Sequence, residues 1–195
     1  MILPIVTYGH PVLRQKGAKI ERVTPEIRHL IRDMMETMND ANGVGLAAQQ
    51  VGHALQLTVI DVREAKDRPS TLEIEGSPVV VADWMPIVLI NPEVKAVGDP
   101  VAGGEGCLSF PELYSEVIRP GVVDVTAMNA EGKAITFRAG GLLARAVQHE
   151  TDHLHGILFI DRMASEKKRE LQMELDDLQA TTKLELRKAT KLARH

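Results

Sequence analysis

Apolar side chains recur along this chain with two different periods, and the changes of period divide it into elements. From Ile27 onward, Leu30, Ile31, Met34, Met35 and Met38 fall at helical spacing and make one stripe. Thr24-Pro25-Glu26 opens the run with a hydroxyl cap, a proline where no amide donor is needed, and an acid near the positive end of the helix dipole. Asn42-Gly43 closes it, so the spacing predicts a helix whose methionines are core. Gln56 to Arg63 is β-branched and alternating and predicts a strand, as do Ile87 to Val97 and Val122 to Met128. Asn129-Ala130-Glu131-Gly132 is a turn leading into Ile135 to Arg138, which makes an antiparallel hairpin. Glu64 to Pro86 carries three prolines and mixed polarity, and reads as a long peripheral excursion with room for a hairpin.

Gly140-Gly141 releases a second helix, Leu142 to His155, with Gly156 as its cap. Leu142, Leu143, Ala146, Val147 and Leu154 give it an apolar side, which predicts burial. A last helix, rich in Glu, Lys, Arg and Leu, is expected from Ser165 through Arg194; its partial stripe of Leu171, Leu175 and Leu178 weakens after Thr181-Thr182. The fold expected is α+β, with antiparallel β-sheets around a central helix and further helices at the N- and C-terminal ends. One catalytic domain is expected over residues 1–164, with 165–195 as a charged helical extension of the same domain.

Composition narrows the function. A net charge of −4, from 27 acidic and 23 basic side chains, supplies no broad basic field, so DNA is not an expected partner. No stretch approaches the ~20 apolar residues of a membrane span, and Met1 to Val6 lacks the features of a secretory signal, so a cytoplasmic location is expected. Cys107 is the single cysteine, which rules out an internal disulfide and leaves its thiol for chemistry or metal.

The strongest chemical signal is His149-Glu150-Thr151-Asp152-His153, falling where the apolar pattern independently predicts a helix. Four residues is about one turn, so both imidazoles share a face and can hold one ion, with Glu150 beside them as a general base. A catalytic metal needs a third protein ligand. The position where the extended protease form of this motif has a histidine is Phe159, and His155 lies about 200° from His153 around the helix. Glu170 and Glu174 are candidates on a highly charged helix, and Cys107 is the remaining good ligand, because thiolate binds zinc or ferrous iron strongly. Gly103-Gly104-Glu105-Gly106-Cys107-Leu108-Ser109 is glycine-rich, which lets backbone approach a bound group. Gly43 to Gln50 is likewise rich in small residues but lacks the ending of a phosphate cradle.

Three blocks, Gly43 to Gln50, Glu105 to Ser109 and Gln148 to His153, together resemble the peptide deformylases, whose marks are Gly-x-Gly-Leu-Ala-Ala-x-Gln, Glu-Gly-Cys-Leu-Ser and Gln-His-Glu-x-x-His in this order. The resemblance runs from the N-terminal residues to about Met163. It implies Cys107, His149 and His153 as metal ligands, Glu150 as catalytic acid/base, and the Gln50 side chain with the Leu108 amide as oxyanion stabilisers. Gly43, Val44, Gly45, Glu105 and Gly106 would line the substrate cleft, with Tyr114 at its edge where many members carry an arginine. The implied activity is hydrolysis of a linear amide: removal of the formyl group from the initiator methionine of nascent bacterial chains. Ferrous iron is the implied cofactor in the cell, with Zn2+, Ni2+ or Co2+ able to replace it. The charged C-terminal helix is a candidate contact for the ribosome. Two rival readings are a small metalloprotease using a glutamate of the last helix and a structural metal module; the latter requires a fourth protein ligand that the sequence does not offer.

Overall fold

The computed structural model describes residues 1–192. After a short 3-10 turn at Pro11–Arg14, the first helix, α1, spans Pro25–Asp40. The Thr24 hydroxyl accepts a hydrogen bond from the Ile27 amide, as the sequence predicts, and Asn42 turns the chain away at φ 53°. The strands β1 (Gly45–Ala47), β2 (Leu57–Ile60), β3 (Ser70–Ile74), β4 (Ser77–Pro78) and β5 (Ile87–Ala96) follow. Then come β6 (Pro100–Cys107), β7 (Phe110–Pro120), β8 (Val122–Met128) and β9 (Ala134–Gly140). The second helix, α2 (Gly141–Leu154), precedes α3 (Ser165–Glu170) and α4 (Gln172–Leu192).

Seven strands form one antiparallel sheet in the order β1-β2-β5-β8-β9-β3-β4, and β6 pairs with β7 as a separate ribbon. Helix α2 lies between these layers, and every residue in it except Gly141, Gln148 and Thr151 is buried. Its Leu143 and Val147 join Leu89, Val125 and Ala139 of the sheet in one core cluster. Truncating such a leucine to alanine costs about 2–5 kcal/mol, because the cavity left behind closes only in part. On the β1-β2-β5 side, Met34 and Met38 of α1 meet Leu46, Leu57 and Ile90, so the methionine stripe is core. A third cluster gathers Leu13, Phe110, Leu158 and Phe159 beneath Leu175 of α4.

Three features differ from the sequence reading. The ribbon β6-β7 went unpredicted, because Gly103, Gly104 and Gly106 leave gaps in the alternation and Glu105 and Arg119 place charges where an inward strand position normally carries an apolar group. The 64–86 excursion does hold a hairpin, but β3 pairs with β9 and extends the main sheet. Its preceding loop also completes α2: Leu142 N–H donates to the Pro69 carbonyl at 3.0 Å and Leu143 N–H to Ser70 Oγ at 3.0 Å. Those donors have no partner within the helix, and Gly140 offers no side chain to cap them. Gly141, at φ +64°, is the residue this docking demands, since a Cβ there would strike the Pro69 carbonyl oxygen. Finally, the last helix is interrupted at Leu171, and its expected extent over Ala193 and Arg194 lies outside the described residues. Thr182 is buried and its hydroxyl lies 2.7 Å from that of Thr7, which docks α4 on the N-terminal segment. Among the described residues no helix is long and apolar enough to cross a membrane.

Candidate metal centre and active site

One face of α2 carries Arg145, His149 and His153 in successive turns, and β6 delivers Cys107 opposite them. One ligand atom from each of Cys107, His149 and His153 lies within 4.8 Å of the others. Cys107 Sγ and His153 Nε2 are 3.3 Å apart, close to the ~3.6 Å edge of a tetrahedron built on zinc–sulfur and zinc–nitrogen bonds of about 2.3 and 2.1 Å. Spacing and donor chemistry both fit a divalent transition metal. Glu170 and Glu174 sit on exposed faces of α3 and α4 and take no part in the cluster, and exposed His155 points its Nδ1 at the Thr151 carbonyl, 2.8 Å away.

The residues around the cluster orient its donors. His149 Nδ1 lies 3.0 Å from Glu105 Oε2, which fixes the proton on that nitrogen and turns Nε2 toward the cluster. Glu105 is held in turn by Arg119 Nε and Nη2, at 2.6 and 3.0 Å, and by Arg145 Nη1 at 2.8 Å. Arg119 reaches on to Asp152 Oδ2 at 2.8 Å. Burying these charges is tolerable because each has a counter-charge within hydrogen-bond distance. Burial pushes the Glu105 carboxyl up, but His149 and Arg119 outweigh it and hold the group well below the usual carboxylate range. For His149, burial lowers the pKa, but Cys107 and Glu105 outweigh it and raise the group well above its ordinary value. Burial and the neighbouring His149 drive His153 well below its ordinary value, leaving it neutral with a lone pair to give.

Glu150 is 4% exposed and shares the cleft with His149. Burial pushes its carboxyl up to about 7, the range in which a general base works near neutral pH. Its Oε2 is buried without a hydrogen-bond partner. Gly45 explains how the carboxylate fits, since a Cβ on Gly45 would lie 2.8 Å from Glu150 Cδ and Cγ. The Gln50 amide is oriented by the Ala47 N–H, which donates to Oε1 at 2.8 Å, so Nε2 faces Cys107 Sγ at 3.4 Å. The cleft measures about 410 Å³, and Gly43, Val44, Gly45, Gln50, Glu105, Gly106, Cys107, Leu108, Tyr114, His149 and Glu150 all line it. His153, 1% exposed, is brought to the metal cluster but does not line the cleft.

Sequence reasoning missed the supporting arginines Arg119 and Arg145 and the cleft residue Arg68. Arg145 carried a legible signal: it stands four residues before His149 in a run otherwise apolar, and a charge there needs a buried partner. Arg119 and Arg68 meet the site only through tertiary contacts.

One cysteine and two histidines near enough to share an ion, beside a cleft that holds a buried glutamate and an oriented amide donor, are the donor set of a single-metal hydrolase centre. A family model described as polypeptide deformylase matches residues 2–169. The peptide deformylase of Methylacidiphilum infernorum is 46% identical over 178 residues, covering 91% of this chain and 93% of that protein. Among solved structures, the Synechococcus elongatus peptide deformylase in complex with actinonin is similar with TM-score 0.73 and 38% identity, covering 92% of this chain and 85% of that one. The Legionella pneumophila peptide deformylase is similar with TM-score 0.76 and 35% identity, covering 93% and 97%. The chain therefore belongs to the polypeptide deformylase family, metal-dependent hydrolases of linear amides.

Proposed function

We propose that this chain removes the N-formyl group from the N-terminal methionine of newly made polypeptides, with Cys107, His149 and His153 holding the metal. The observation that carries the reading is that Cys107, His149 and His153 come within reach of one ion, with Glu150 and Gln50 in the cleft that Cys107 and His149 line. When bound, the cation supplies Lewis-acid activation of water and of the formyl carbonyl. Glu150 accepts a proton from the attacking water and returns it to the amine that leaves, a role its raised pKa and unpartnered Oε2 support. The oxyanion receives hydrogen bonds from Gln50 Nε2 and the Leu108 amide, donors of a kind worth about 3–4 kcal/mol each in transition-state stabilisation. Gln50 is suited to this because the Ala47 N–H already engages its oxygen, leaving only N–H groups to point inward.

Gly43, Val44, Gly45, Glu105 and Gly106 form the walls that hold the substrate, Tyr114 stands at the rim, and Leu142 and Ala146 add apolar surface for the methionine side chain. Ferrous iron is the metal proposed in the cell, with Zn2+, Ni2+ or Co2+ accepted by the same soft donor set. The catalytic unit is proposed to occupy 1–164, with 165–195 an extension that packs on it and offers a charged outer face to the ribosome. Exposure of α4 beyond the buried Thr182 supports that division of labour. Formylated nascent chains are made in the bacterial cytoplasm, which is the location proposed.

The deciding experiment compares wild type with Glu150→Gln on formyl-Met-Ala-Ser, with metal analysis of the same samples. The variant is expected to keep its metal and lose about 10² to 10⁴ in turnover, the usual contribution of a general base. Metal retained with turnover within tenfold of wild type would remove Glu150 from the mechanism.

A further inference from the structure

The loop before β3 puts Arg68 on the wall of the catalytic cleft, where it shares the lining with Gly104, Gly106 and Tyr114. Its backbone is fixed by the neighbours already described, since Pro69 and Ser70 accept from the first turn of α2 and the Arg68 N–H donates to the Ala65 carbonyl at 3.1 Å. The guanidinium uses one arm: Nη2 donates to the Gly104 carbonyl at 3.1 Å. Among the described residues Arg68 has no carboxylate partner, and the Gly104 carbonyl is the one acceptor its guanidinium engages.

The two cations lining the cleft differ in kind. Arg145 is buried and spends its donors on Glu105 and on the carbonyls of Val101, Gly103 and Val117. Arg68 is exposed and unpaired. A second hollow shares Arg68, Gly104, Glu105, Gly106 and Tyr114 with the cleft and adds Ser115, and its carboxylate, Glu105, is already engaged by Arg119, Arg145 and His149. Glu112, the exposed carboxylate of the main cleft, does not line that hollow. A chain that follows formyl-methionine out of the cleft by this hollow passes one exposed positive charge, that of Arg68.

We propose that Arg68 is a specificity-determining residue that reads the residues just after formyl-methionine and favours acidic side chains there. This rests on the deformylase reading of the same site. Because the cation is solvent-exposed, the preference is modest and falls as salt rises.

The test measures kcat/KM for two amidated peptides, formyl-Met-Asp-Asp and formyl-Met-Lys-Lys, at low and at high salt. Wild type is expected to favour the acidic peptide by about threefold at low salt, the size an exposed ion pair carries. Arg68→Ala should bring the ratio to about one, Arg68→Lys should keep part of it, and Arg68→Glu should invert it. A ratio is unaffected by loss of folded or metal-loaded enzyme, so a merely structural role for Arg68 would not move it. An unchanged ratio in Arg68→Ala or Arg68→Glu, with wild type turning over both peptides, overturns the specificity proposal alone. Failure of the metal-loaded wild type to hydrolyse either peptide overturns the deformylase reading and this proposal with it.

Discussion

Glu105 Oε2 stands 3.0 Å from His149 Nδ1, so the carboxylate that two arginines clamp is also the one that sets the tautomer of a metal-cluster histidine. Glu105→Gln is therefore expected to weaken metal binding by about 10- to 100-fold, the usual size of a change in the group behind a histidine ligand. The amide also leaves Arg119 and Arg145 short of a buried counter-charge, so stability should fall together with metal affinity. Competition against a chelator reads the first effect and thermal unfolding with excess metal reads the second.

Gly45→Ala tests a contact that no metal ligand makes. The added Cβ would lie 2.8 Å from Glu150 Cδ and Cγ, a separation that one of them must relieve by moving. Since the base has to be placed to within a fraction of an ångström, turnover should fall by about tenfold or more while the metal stays bound. Equal loss of metal and activity would instead indicate that the strain passes into α2.

Metal exchange should separate the donor set from the ion. After removal of metal by a chelator, activity on formyl-Met-Ala-Ser should return with Fe2+, Co2+ or Ni2+ in proportion to the metal bound. His153→Ala should recover with none of them, because two protein ligands do not hold a catalytic ion. The iron form should lose activity in air, through oxidation of iron or of the Cys107 thiolate, and the nickel form should lose it more slowly.

The first two helices, the core stripe of α1 and the pair of histidines with Glu150 were legible in the sequence because each is local. His149, Glu150 and His153 lie within about one turn, and the Thr24 cap sits three residues from the amide it engages. Cys107 was reachable by elimination, through the chemistry of its thiol. The β6-β7 ribbon was not legible, because glycines and a buried Glu105–Arg119 pair replace the alternation that marks a strand. Nor was the role of the 64–86 excursion. Nothing near Arg68 or Ser70 in the chain announces the α2 amides more than 70 positions away.

Acid should loosen the join between the N-terminal turn and the segment after α2. Burial pushes the Asp161 carboxyl up, but Arg14 and the Leu158 amide outweigh it, so in the folded protein the group titrates below the ordinary aspartate value of about 3.9. A carboxyl depressed by folding stabilises the protein above its unfolded pKa and loses that contribution as pH falls through its folded value. Thermal unfolding of wild type and Asp161→Asn between pH 7 and 3 should thus show the largest gap at neutral pH, closing below about pH 4. A gap independent of pH would assign the effect to packing.

The hydroxyl contact between Thr7 and Thr182 joins positions 175 residues apart. A chain growing from its N-terminus makes Thr7 well before Thr182, so this closure waits for α4 to be made. Until α4 arrives, Leu175 is missing from the apolar cluster formed by Leu13, Phe110, Leu158 and Phe159, and that surface faces water. The last helix therefore acts as a latch in time as well as in space: its docking takes that apolar surface out of water.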